Sequence, residues 1–259
     1  IDNCIIQGNK AYTQGGGIQV ENATSNINNS LIYNNQITIT SGSDNNGAGV
    51  FYGTSGSGTY TNYLTNCTIS GNIGSSATYG GGIGMTSSGN STSNVILTNV
   101  TIADNTAANA HGIQQYAYDY SYNNLTLLNC IISNTNSNNA FLYKATNATR
   151  TITRISTILR DNTITLGSGS GDANNTDPLI NSLDNNGGFT KTYSLQTSSP
   201  AKDNGTATGA PTIDQRGLPR NTIDIGAFED GYKVWTGKSS TDWADGSNWI
   251  GGVPTSSDN

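Results

Sequence analysis

The chain has 259 residues, of which 33% are hydrophobic, only 11% charged and 32 are Gly, and its formal net charge is −6. Its sparse basic residues never cluster, which argues against nucleic acid, because phosphate binding needs a basic stripe. No stretch approaches the roughly 18 apolar residues of a membrane span, and scarce charge with regularly recurring Ile, Val, Thr and Tyr argues against disorder.

A repeat begins at the first residues and sets everything after it. It reads Asn, a small residue, any residue, Ile, two more residues, Asn. The copies are Asn3-Cys4-Ile5-Ile6 with Asn9, Asn29-Ser30-Leu31-Ile32 with Asn35, Asn66-Cys67-Thr68-Ile69 with Asn72, and Asn99-Val100-Thr101-Ile102 with Asn105. Asn129-Cys130-Ile131-Ile132 follows with Thr135, and Ile155-Ser156-Thr157-Ile158 with Asn162 is a degenerate sixth copy. The small residue recurs at 4, 30, 67, 100, 130 and 156, in steps of 26, 37, 33, 30 and 26. A Gly-rich element lies between copies: Gly15-Gly16-Gly17-Ile18, Gly47-Ala48-Gly49-Val50, Gly80-Gly81-Gly82-Ile83 and Ala110-His111-Gly112-Ile113, with Asn139-Ala140-Phe141-Leu142 as a worn last copy. A third apolar element precedes each Asn by two residues, at Ile27, Leu64, Leu97 and Leu127.

Three short β-prone segments per repeat cannot bury a face alone, and coiling three per turn with parallel stacking solves this. The predicted fold is therefore all-β: a single-stranded right-handed parallel β-helix over 1–165. Variable step lengths become loop insertions, which a solenoid tolerates. Asn3, Asn29, Asn66, Asn99 and Asn129 are expected to form an amide ladder, since such ladders stabilise stacked parallel strands. Cys4, Cys67 and Cys130 share one register with Ser30 and Val100 between them. Neighbouring Cys then lie two coils, roughly 9.6 Å, apart, too far for a disulfide or a shared metal. They are expected to be buried reduced thiols filling space.

From Asp177 the character changes. Asp177-Pro178-Leu179-Ile180 leads through Asn185-Asn186-Gly187-Gly188-Phe189-Thr190, Tyr193-Ser194-Leu195 and Ser199-Pro200-Ala201-Lys202-Asp203-Asn204-Gly205 to Asp214-Gln215-Arg216-Gly217 and Asp224-Ile225-Gly226-Ala227-Phe228-Glu229. This run of about fifty residues resembles the choice-of-anchor Q region that closes many bacterial parallel β-helix surface proteins, and the coils before it resemble those proteins and polymorphic outer-membrane-type repeats. The resemblance implies a segment lying just before a surface-anchoring or sorting signal. Residues 166–230 are accordingly expected to cap the helix, over or beside its last coil. Trp235, Trp243 and Trp249 then mark 231–259, which resembles the Trp-rich opening of a β-module of Bacteroidota surface proteins exported by the type IX system. The chain opens in mid-pattern and reads as a fragment of a longer, processed polypeptide.

Parallel β-helices include polysaccharide lyases and pectin hydrolases, whose sites gather carboxylates on one face. Here Asp2, Glu21, Asp44, Asp104, Asp119 and Asp161 fall at different register positions, and Asp104 reads as a turn residue. His111, where other coils carry Gly or Ala, reads as an exposed turn residue rather than a base. Tyr116, Tyr118, Tyr120 and Tyr122 form an alternating row that can stack on sugar rings; a surface loop packed on neighbouring coils is the favoured alternative. Arg150, Arg154 and Arg160 are expected to cover the flank with their stems, and Arg216 to pair structurally with Asp214 or Asp224. No cofactor is expected. Ca²⁺ at the acidic loop Asp172–Asp177 lacks a complete spaced motif. Thr38/Thr40, Thr151/Thr153 and Thr163/Thr165 raise ice binding, but they do not recur at one register.

The resulting expectation is a structural or adhesive segment of a large secreted cell-surface protein, outer-membrane-associated or extracellular. A carbohydrate-active lyase or hydrolase and an exported type IX substrate are the alternatives. Expected partners are surface glycans or other surface proteins, with secretion machinery during export.

Overall fold

Strands of two to seven residues recur at the predicted places and stack in parallel as a β-solenoid of about five turns. The structure is a computed structural model and describes residues 1–39, 46–76, 78–134, 140–160, 170–256 and 258, with backbone alone over 140–144. The expectations placed on Thr40, Asp44, Thr135, Asn139, Asp161, Asn162, Thr163 and Thr165 lie outside the described residues.

Each coil contributes one strand to each of three sheets. The first sheet runs Ile5–Gln7, Leu31–Tyr33, Thr68–Ser70, Thr101–Ala103, Ile131–Ser133, Ile158–Leu159 and Ala173–Asn174. The second holds Ile18–Glu21, Val50–Thr54, Ile83–Ser87, Ile113–Ala117 and Ala140–Lys144. The third holds Ser25–Asn28, Thr59–Thr65, Thr92–Thr98, Tyr122–Leu128 and Thr149–Ile155. Alternation places Ile32, Ile69, Ile102 and Ile132 of the first sheet, Val50, Ile83 and Ile113 of the second, and Leu64, Leu97 and Leu127 of the third in one continuous apolar core.

The corner between the third and first sheets explains the leading Asn. Asn3, Asn29, Asn66, Asn99, Asn129 and Ser156 all hold positive φ, between 48° and 52°. Asn adopts this left-handed conformation more readily than other side chains. The small residue that follows turns inward and, except at Val100, donates to the carbonyl two residues back, as Ser30 Oγ does to Asn28 O (2.6 Å) and Cys67 Sγ to Thr65 O (3.3 Å). The last copy is shifted by one from the expected register. Ile158 pairs with Ile131, so Thr157 occupies the small position and Ser156 the left-handed one. Ala140 likewise pairs with Ile113, two residues away from the expected alignment of Leu142.

The predicted Asn ladder is only partly an amide ladder. Asn66 Nδ2 donates to Asn29 Oδ1 (3.3 Å) and Asn129 Nδ2 to Asn99 Oδ1 (3.2 Å). Among the described residues no hydrogen bond joins Asn66 to Asn99; Asn99 Nδ2 turns to the carbonyls of Asp224 and Gly226 instead. The unbroken ladder is built by the second Asn of the first four copies and, in the fifth, by Asn134, one residue before the Thr135 that the repeat puts in that place. Asn9 donates to Asn35 Oδ1, Asn35 to Asn72 Oδ1, Asn72 to Asn105 Oδ1 and Asn105 to Asn134 Oδ1, at 2.8–3.3 Å. Each of Asn35, Asn72 and Asn105 also donates to a backbone carbonyl of the neighbouring coil, such as Ile32 O for Asn72. Beside this column the Gly run allows close approach: a Cβ on Gly82 would stand 2.7 Å from Gly112 O.

The three thiols are free, with Cys67 and Cys130 buried and Cys4, expected to be buried, only half so because it sits on the first coil. Burial pushes the Cys67 and Cys130 thiols up to about 12, so both stay protonated.

Replacing Asn72 by Ala removes the acceptor of the buried Asn35 N–H and the amide donor to Ile32 O, and leaves Asn105 Oδ1 only the backbone N–H of residue 72. Chemical denaturation should show a loss of about 3 kcal/mol, whereas Asn94→Ala, on an outer face, should cost under about 1 kcal/mol.

Candidate functional site

The acids named from the coils are dispersed. Asp104 sits at a left-handed corner (φ 57°), and its Oδ2 accepts from the Tyr193 hydroxyl at 2.8 Å. Asp2 accepts from Asn29, and Glu21 from Gln19. Asp119 Oδ1 accepts from the backbone of Asn147. His111 is buried, not exposed as expected; its Nδ1 accepts from Ala107 N at 3.1 Å because the corner it occupies is stacked between coils.

The Tyr row does not share one face. Tyr116 lies on the outer side of the second sheet with its ring 4.5 Å from that of Tyr118. The chain then turns tightly, with Tyr120 at positive φ and Ser121 Oγ donating to Tyr118 O, and Tyr122 emerges on the third sheet. Neither the single strand nor the long loop expected for these residues is present.

Two adjoining clefts lie on the second sheet and share Gln14 and Thr86. One, of about 190 Å³, is lined by Glu21, Phe51 and Thr54, and the other, of about 470 Å³, by Asn46, Ser88 and Tyr118. Their lining is amide, hydroxyl and aromatic, with Glu21 the one carboxylate.

Charge concentrates instead in the C-terminal segment, which lies along the flank of the solenoid rather than only at its end. Gln215 Oε1 accepts from Thr68 Oγ1, Ala227 N donates to Thr101 Oγ1, and Gly226 N donates to Asn129 O, so three successive coils are gripped. Tyr193 bridges Ser70 Oγ and Asp104, and Ile225 and Phe228 pack with Ile131 and Ile158. Under this contact Arg216 pairs with Asp214 at 2.7 Å with both side chains fully buried, donates to Glu229 O, and lies 3.7 Å from the Phe228 ring centroid. Arg220 pairs with Glu229 at 2.9 Å and reaches Asn66 Oδ1 at 3.2 Å. Asp224, one of two expected partners of Arg216, instead accepts from the backbone N–H groups of Asp203 and Asp230.

Asp224 and Glu229 line a cleft of about 250 Å³ with Asp230, Lys202 and Tyr232. Burial raises both carboxyls above their ordinary range; N–H donors oppose the rise at Asp224, and the Asp224 N–H together with Arg220 oppose it at Glu229. A buried, raised carboxylate pair in a cleft is the arrangement an acid–base site uses, but structural ion-pair networks produce it too. The hydrogen bonds of these two carboxyls go to the protein's own backbone and to Arg220.

A second charged group closes the last coil. Arg154 stands in the register of Leu127, Leu97 and Leu64, so it enters the core rather than covering the flank. Its charge is met by Asp172 at 3.3 Å and Asn174 at 2.8 Å. Arg150 is half-buried, and desolvation lowers its pKa; Arg160 is exposed and pairs with Asp177. Asp172 and Asp177, considered for Ca²⁺, are thus both engaged by arginines, and among the described residues no group of three or more His, Cys, Asp or Glu is placed to hold a metal. The Trp-rich segment pairs Val234–Trp235 antiparallel with Trp249–Ile250, and is tied by Lys238 and Asp184 (2.7 Å) to the antiparallel pair Ile180–Asp184 and Thr192–Leu195. No protein-family model matches the chain, and no curated protein or solved structure matches it either.

A carboxyl whose folded pKa exceeds its unfolded value binds its proton more tightly when folded, so its contribution to stability is lost as pH rises through that window. Glu229→Gln carries no such loss. Its stability relative to wild type should therefore increase as pH rises upward from the ordinary value of 4.5. A relative stability that is flat with pH in urea titrations, or that falls, contradicts the raised carboxyl.

Proposed function

We propose that the chain is a rigid structural or adhesive stretch of a large exported cell-surface protein. The observation that carries this reading is where the clustered charge goes: Asp214, Asp224 and Glu229 are taken up by Arg216, Arg220 and backbone N–H groups inside the C-terminal segment, which Arg220, Gln215, Gly226 and Ala227 fasten across the coils. A solenoid braced in this way resists bending between coils and suits a stem that holds a binding surface away from a cell. The neutral amide and hydroxyl groups lining the clefts on the second sheet suit contact with glycans more than with charged polymers. The resemblance of residues 177–229 to the choice-of-anchor Q region, and of the Trp-rich tail to type IX-exported modules, supports a bacterial, Bacteroidota-like surface as the setting. Secretion machinery is then a partner during export, and surface glycans or neighbouring surface proteins are partners afterwards.

One observation favours a carbohydrate-active enzyme as the second reading: the raised Asp224 and Glu229 carboxyls at the 250 Å³ cleft. Incubation with pectin, alginate, xylan and chitin, followed by reducing-end and unsaturated-uronate assays, separates the two. The structural reading predicts no more product than the heat-denatured chain gives. Sustained turnover that falls in Asp224→Asn or Glu229→Gln would overturn it.

A further inference from the structure

The third sheet turns a regular face outward. Thr59–Thr65, Thr92–Thr98, Tyr122–Leu128 and Thr149–Ile155 are each seven residues long and pair in parallel with no bulge or slip. Because Leu64, Leu97, Leu127 and Arg154 point inward, each strand has four outer positions, sixteen in all, beginning at 59, 92, 122 and 149. Nine of the sixteen are Thr and two are Asn, and none is acidic or basic, although the chain carries 17 acidic and 11 basic residues. In-register pairing fixes the spacing, roughly 4.8 Å between coils and roughly 6.6 Å between outer neighbours on one strand.

The middle of this face is held in place by its own hydrogen bonds. Asn94 Nδ2 donates to Thr61 Oγ1 (3.2 Å), Asn124 Nδ2 to Asn94 Oδ1 (2.9 Å) and Thr151 Oγ1 to Asn124 Oδ1 (2.6 Å). Two aromatic rings stand on it, Tyr63 at 40% exposure and Tyr122 at 50%. They are two coils and four residues apart by register, a diagonal of roughly 16 Å from strand geometry.

We propose that this face binds a neutral, extended polysaccharide, with Tyr63 and Tyr122 stacking on sugar rings and the Thr and Asn side chains meeting sugar hydroxyls. The lack of charge selects against uronate or sulfated polymers, which need cations, and against charged peptide segments. Periodic neutral groups on a rigid plane fit a periodic neutral polymer, because little ordering entropy is lost on the protein side. The separation of the rings requires a chain of several sugar units. Aromatic rings protruding among the Thr side chains suit stacking rather than a flat lattice of ordered water. This inference rests on the adhesive side of the proposed function and names its ligand class.

The test is sedimentation of the whole chain with microcrystalline cellulose and with chitin, with cross-linked alginate as an anionic polymer and an ice-affinity run alongside. Wild type should be retained on cellulose or chitin and not on alginate. Tyr63→Ala/Tyr122→Ala should bind roughly tenfold more weakly, from the loss of two stacked rings, and Ile96→Lys at the centre of the face should weaken binding as well. Phe189→Ala, which removes an exposed ring of the C-terminal segment away from this face, should bind as wild type does. Thermal melts matching wild type establish that each variant is folded. The proposal is overturned if folded wild type binds neither neutral polymer, if it binds ice alone, or if the Tyr63/Tyr122 variant binds unchanged. A chain that binds neither polymer and shows no turnover sinks this surface and leaves the structural reading standing, whereas turnover sinks that reading whatever binds here.

Discussion

Each coil of the solenoid turns from its third strand to the next coil's first strand at a residue held near φ +50°. That one dihedral bends the chain sharply from one strand into the next, so the third and first sheets meet at a tight edge. The same corner turns the following small side chain inward, where Ser, Cys or Thr donates to the carbonyl two residues behind it. Because the corner is identical in every coil, the Ile side chains beyond it stack over one another and the second Asn of each motif falls over its counterpart. The buried amide ladder is thus a consequence of the corner. It satisfies backbone carbonyls that would otherwise be stranded where the coils approach closely at Gly49 and Gly82.

The corner residues also form the docking edge for the C-terminal segment. Asn66, Asn99 and Asn129 present their amides along the flank, and Ile213, Asp224, Gly226 and Thr206 supply the carbonyls they need. Arg216 and Arg220 hold that segment in shape from beneath. Buried ion pairs of this kind add little net stability over an apolar replacement, but breaking one leaves an uncompensated buried charge. Their effect here is to fix one conformation of a segment that has almost no regular structure of its own. The charge of the chain is therefore concentrated where it braces, and the outer face of the third sheet is left neutral.

Much of the fold was legible in the sequence because the solenoid repeats its chemistry. The three β-prone segments per turn, the common register of Cys4, Cys67 and Cys130, and the turn at Asp104 could be read from spacing alone. The side facing inward could not: both Asn residues of the motif recur with the same period, and only the φ of the first shows that it is the corner while the second enters the core. Register slipped at Ser156 because Ser replaced the corner Asn and left two candidates for the small position. Arg154 stayed hidden because a charge at a core position makes sense only once Asp172 and Asn174 are seen beside it. The Tyr row misled because the turn at 118–121 carries no Gly or Pro. The flank docking joins residues up to 154 apart in sequence, beyond any local pattern, and the neutral face of the third sheet needed the register of its four strands.

The central claim, that equivalent small residues lie one above another at a single corner, is tested most directly by Val100→Cys. Val100 sits between Cys67 and Cys130, one coil from each by register, roughly 4.8 Å along the axis and within reach of a disulfide. Refolded under oxidising conditions and mapped by peptide mass, the variant should contain a bridge from the introduced thiol to Cys67 or Cys130, and wild type should contain none. A wild-type bridge between Cys67 and Cys130, or a variant whose new thiol pairs with neither, would contradict the stacking.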